Sequence, residues 1–74
     1  MVRLRVDFQP YTSLDLASEK MTDLGLHRGN LKSGFICIGL LNGFFALVTV
    51  KEEDELWISR SLHMIPGVVS VSRG

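Results

Sequence analysis

The chain has one cysteine, two histidines and two prolines in 74 residues, and eight basic residues cancel eight acidic ones. Each scarcity closes off a class of explanation. A lone thiol, Cys37, cannot form an internal disulfide, and His27 and His63 lie too far apart for the usual spacing of metal ligands. The reading therefore assigns no metal, no cofactor and no catalytic residue. The longest apolar run, Phe35 to Leu41, is strand-length, well short of the 18 or more residues of a membrane-spanning helix. Balanced charge disfavours a surface built for nucleic acid or an acidic membrane. Arg3, Arg5 and Asp7 interrupt the N-terminus, unlike the apolar core of a secretory signal, so the expected location is cytoplasmic. What is plentiful is apolar side chain, 46% of the residues. A chain below about 80 residues with no disulfide or metal must rely on core quality or on association.

Val2, Leu4, Val6 and Phe8 alternate with Arg3, Arg5 and Asp7, the period of a strand with one wet face. Gln9-Pro10-Tyr11 breaks that strand, and Thr12 with Asp15 predicts a capping box for a helix. Leu14, Ala17, Met21 and Leu24 line one stripe of this helix, which Gly25 ends as a left-handed cap. His27 to Gly34 reads as a polar loop. Two strand-like runs follow, Phe35 to Leu41 and Phe44 to Val50, and Asn42-Gly43 between them predicts a hairpin turn with positive φ at both residues. Valine in place of Gly43 is then expected to be costly. Glu52 to Glu55 suit the first turn of a second helix, whose core arc is expected to hold Trp57, Ile58, Ser61, Leu62, Met64 and Ile65. Pro66 and Gly67 stop it and return the chain as a last strand, Val68 to Ser72.

Strand, helix, strand, strand, helix, strand predicts one α+β domain over residues 1–74 of the ferredoxin-like, split βαβ type. In that fold a four-stranded antiparallel sheet carries two helices on one face. The crossover rule places the first and third strands centrally and the second and fourth at the edges.

In the hairpin both side-chain parities are apolar. One parity can fill the core beneath the helices, and the other needs cover from elsewhere. The expected function is a non-catalytic interaction or regulatory module that binds a protein partner or itself through this face. Phe35, Cys37, Phe45 and Leu47 are the candidate contact residues, with the parity facing the core left open. A small-ligand loop is the alternative, because Gln9, Tyr11, Thr12 and Ser13 stand where a strand ends and a helix begins. Cys37, between two isoleucines, reads as a small buried hydrophobe. Gly43-Phe44 echoes the third-strand motif of RNA-recognition domains but lacks the leading cation and second stacking aromatic, so nucleic acid is not expected as a partner.

The ending Leu62-His63-Met64-Ile65-Pro66-Gly67-Val68-Val69-Ser70-Val71 resembles the close of ACT-type regulatory domains. That resemblance implies dimerisation through sheets or helices, and small-ligand binding at Gln9 to Ser13. Asn42-Gly43-Phe44-Phe45-Ala46 with the same ending is similar to propeptides of subtilisin-like proteases, which implies an inhibitor that lays its open sheet face on an enzyme. A heavy-metal-associated domain needs paired cysteines, and the single cysteine excludes it.

Overall fold

A computed structural model describes residues 1–74. The strands are β1 (Val2–Phe8), β2 (His27–Arg28), β3 (Gly34–Leu40), β4 (Gly43–Val50) and β5 (Val68–Arg73). The helices are α1 (Leu14–Asp23), between β1 and β2, and α2 (Glu55–His63), which a short 3-10 turn (Glu52–Asp54) leads into. The sheet has five strands in the order β2-β3-β4-β1-β5, with β2 parallel to β3 and every other pair antiparallel. This corrects the four-stranded antiparallel ferredoxin-like expectation. The segment read as a loop supplies the extra strand: His27 pairs with Gly34 and Arg28 with Phe35. Strand β3 is therefore flanked on both sides at its start.

The alternation in β1 sorts cleanly, with Val2, Leu4, Val6 and Phe8 buried against the helices. Across the sheet Phe35, Phe44, Ala46, Val48 and Val50 join them, and α1 and α2 contribute Ala17, Met21, Ile58 and Leu62 to the same cluster. The Phe8 and Phe44 rings stack 4.4 Å apart, closing this core near the hairpin end.

Local chemistry departs from expectation at three places. The cap of α1 is Ser13, whose hydroxyl accepts from the Leu16 amide at 3.2 Å; Thr12 is unavailable because its own hydroxyl donates to the Gln9 carbonyl at 2.6 Å. On α2 and the turn that ends it the buried line is Ile58, Leu62 and Ile65, while Trp57 (47% exposed) and Met64 point outward. Steps of four and three hold one narrow face, and residues one position away rotate off it by about 100°. The hairpin turn is Leu41-Asn42, since Leu40 pairs with Gly43, and none of these residues has positive φ. A Cβ at Gly43 would meet Pro10 at an ordinary 3.6 Å, so the backbone reason for sensitivity there disappears.

Gly67 is where glycine is required. Its φ is +91°, and a Cβ would come 2.5 Å from the Thr12 hydroxyl, in the turn whose Gln9 amide donates to the Gly67 carbonyl at 2.7 Å. We expect Gly67→Ala to cost about 1–2 kcal/mol from the left-handed backbone alone, with the clash adding to it. Urea melts of this variant beside Gly67→Ala/Thr12→Ala separate the two causes, because the double variant should recover only the steric part. Equal stability of parent and Gly67→Ala would contradict this turn.

Candidate functional site

A two-residue hairpin loop pairs odd-numbered residues with even-numbered ones, and that parity decides which side chains share a face. Phe35 lies opposite Val48 and Cys37 opposite Ala46, all on the helix side, whereas Ile36 lies opposite Leu47 and Ile38 opposite Phe45 on the other. The four contact candidates therefore divide. Phe35 is wholly buried and Cys37 is half-buried on the inner side, while Phe45 and Leu47 are half-buried on the outer face. Ile36, Ile38 and Leu40 complete the outer apolar set, and the reading of the sequence missed them. The signal was present, because any two-residue turn forbids Phe35 and Cys37 from sharing a face with Phe45 and Leu47.

The outer face is apolar on one half and polar on the other. Along β1 and β5, Arg5 lies opposite Ser72 and Asp7 opposite Ser70. The Arg5 guanidinium sits 4.0 Å from the centre of the Phe45 ring and bonds Asp7 at 3.1 Å. Arg5 therefore shields one side of Phe45, and the open apolar surface runs toward β3. Ile38 and Leu40 are exposed there, and Leu41 at the hairpin tip is 97% exposed. Both helices lie on the opposite face.

The Gln9 to Ser13 loop spends its polar groups on the chain itself. Gln9 donates to Gly67, Tyr11 to Asn42 at 2.8 Å and Thr12 to Gln9 at 3.2 Å through their amides, and the Ser13 hydroxyl is the helix cap. Tyr11 holds φ +64° and its ring is 83% exposed. The recess beside it, about 260 Å³ and backed by Pro66 and Gly67, is wide open. A second recess of about 240 Å³ lies between the end of α1 and the start of α2, near Leu26, His27, Lys51 and Trp57. Both fall below the 300–1,000 Å³ of usual ligand pockets. The Trp57 indole donates to Asp54 at 2.9 Å, which fixes the ring on the rim.

Reactive groups do not converge. Burial pushes the Cys37 thiol above its ordinary range, against smaller opposing effects of Ser18 and Arg28. The Ser18 hydroxyl approaches this thiol without forming a well-made hydrogen bond to it or to any other group. No three His, Cys, Asp or Glu side chains gather as metal ligands. His63 is on the exposed side of α2 and His27 is exposed in β2. Arg73 binds Glu55 through two hydrogen bonds of 3.0 and 2.8 Å, which hold that carboxyl below the usual range. This pair ties β5 to α2. No helix is long and apolar enough to cross a membrane. Compared with known proteins, the chain matches no protein-family model, no curated protein and no solved structure.

Proposed function

We propose that the chain is a non-catalytic protein-interaction module whose contact surface is the outer face of the β3–β4 hairpin. The observation that carries this reading is the row Ile36, Ile38, Leu40, Phe45 and Leu47 on the side of the sheet away from both helices. Contiguous exposed apolar surface rimmed by polar residues marks association sites, and Arg5, Asp7, Ser70 and Ser72 supply such a rim. The resemblance to protease propeptides, which use an open sheet face, supports the same reading. Small-ligand sensing, as the ACT resemblance implies, has the left-handed Tyr11 in its favour, since such backbone strain gathers at binding loops. Against it stand the internally satisfied hydrogen bonds of that loop.

The test is Leu47→Glu. Leu47 is half-buried on the outer face, so a carboxylate there can reach water and the fold should hold to within about 1 kcal/mol. At the centre of a contact the same charge is desolvated without a partner and should weaken binding by about 2 kcal/mol or more, at least roughly thirtyfold. Proteins captured from a cell extract by the parent chain should be missing from the Leu47→Glu capture. An unchanged capture profile would remove the outer face from consideration.

A further inference from the structure

We infer that the free edge of β3, which borders this surface, pairs with a second copy of the chain, joined β3 to β3 in antiparallel fashion about a two-fold axis at Ile38. The inference goes beyond the interaction reading, because the pair forms at the edge of the outer face and leaves that face open. Within a strand, the N–H and C=O of one residue point to the same edge, and successive residues alternate. The Phe35 carbonyl accepts from the Gly29 amide at 2.7 Å, on the β2 side. Phe35, Cys37 and Gly39 therefore point away from β4, and Ile36, Ile38 and Leu40 point toward it. The Leu40–Gly43 pair that closes the hairpin fits this assignment. Because β2 pairs only with Gly34 and Phe35, the amides and carbonyls of Cys37 and Gly39 face an edge with no strand beside it.

The other edge of the sheet is guarded along its length, whereas here β2 covers only Gly34 and Phe35. On β5, Arg73 places a charge at the edge and is tied to Glu55, the register slips between Asp7 and Phe8, and the outer side chains are Ser70 and Ser72. Charge and bulges are the usual protection of an edge strand. From Gly34 to Gly43 there is no charge and no proline, so a symmetric partner brings no like charges together. An added strand would extend the apolar row of Ile36, Ile38 and Leu40.

Self-pairing has one register that uses every free group. Phe35 is already engaged by Gly29, and the chain turns away at Leu41, so Cys37 must meet Gly39 of the second copy. Each such pair exchanges two hydrogen bonds, four in all. Ile38 then faces Ile38 of the second copy across the axis, and Ile36 faces Leu40 of the second copy. Nothing lies within 4 Å of where a Gly39 Cβ would be, which leaves room opposite Cys37. Pairing of a single edge is small by the standard of stable complexes, so this dimer should dissociate on dilution.

Sedimentation of the parent chain should show mass rising from monomer toward dimer as concentration approaches about 1 mM. In a Cys37→Ser background, Ile38→Cys should give a covalent dimer on mild oxidation, because directly opposed residues of this kind lie about 4.5 Å apart between Cα atoms, within disulfide reach. Ile36→Cys in the same background should not, since it faces leucine. Gly39→Pro removes an outward amide and leaves the β3–β4 ladder whole, so it should stay folded by circular dichroism and remain monomeric. A parent chain monomeric at the highest concentration, or cross-linking by Ile36→Cys as readily as by Ile38→Cys, would overturn the inference. If the parent is monomeric while Leu47→Glu still loses captured proteins, self-pairing fails and the interaction reading survives.

Discussion

Ala46→Glu is expected to leave the chain unfolded at 25 °C. Ala46 has no exposed surface and lies between Val6 of β1 and Cys37 of β3 on the helix side of the sheet. Glutamate there adds three heavy atoms beyond a methylene to a packed core and strands a carboxylate away from water. Overpacking alone costs about 1–3 kcal/mol, and an unpaired buried polar group adds several more. At about 0.05–0.15 kcal/mol per residue, a chain of this length has a total margin of roughly 4–11 kcal/mol. The summed cost is comparable with the whole of that margin. Far-UV circular dichroism and a urea melt read the outcome, and Leu47→Glu is the matched control one residue away. A folded Ala46→Glu would mean that the parity of β4 is inverted, and with it the assignment of the outer face.

Gly34→Ala is the second large effect, and it concerns the strand that the sequence does not announce. A Cβ at Gly34 would collide with the His27 carbonyl oxygen, with further His27 backbone atoms inside 3 Å. Backbone cannot swing aside as a flexible side chain can, so β2 must leave the sheet or β3 must shift. Release of β2 breaks its ladder and the Gly29–Phe35 hydrogen bond, and loosens the adjoining Leu26, which is buried. At about 1 kcal/mol for each net hydrogen bond and as much again for lost burial, the expected loss is about 2–3 kcal/mol. For a domain of this size that lowers the melting temperature by roughly 10–20 °C. If Gly34→Ala melts with the parent, β2 does not run beside Gly34 and the sheet has four strands.

What could be read in the sequence, and what could not, divides along a physical line. Features set by local periodicity or by one residue's backbone were legible. The buried side of β1, the left-handed Gly25 after α1 and the stop at Pro66-Gly67 belong here. Features decided by distant partners were not. His27-Arg28 carries no strand pattern, and it becomes a strand because Gly34 admits a backbone at close range. Asn42-Gly43 suggests a turn of mirrored geometry, yet the Asn42 carbonyl is taken by the Tyr11 amide, and the turn forms one residue earlier without positive φ. Trp57 looks like a core residue by hydrophobicity alone, but its indole finds Asp54 on the surface.

The candidate surface was half legible. That one hairpin parity would lie outside the core followed from composition, and Phe45 and Leu47 are on it. Phe35 and Cys37 were grouped with them by spacing along each strand, without the odd-to-even pairing that a two-residue turn imposes. Ile36, Ile38 and Leu40 follow once that pairing is applied. The shielding of Phe45 by Arg5 depends on a cross-strand neighbour, which no single segment reveals.

The most direct test of pairing through the β3 edge beside the outer face is a concentration series of amide nuclear magnetic resonance spectra, extending to about 1 mM protein. The account places the concentration-dependent shifts on Ile36 to Leu40, with Gln9 to Ser13 and the exposed side of α2 unmoved. Shifts confined to Gln9 to Ser13, or spectra that superimpose at every concentration, would contradict self-pairing.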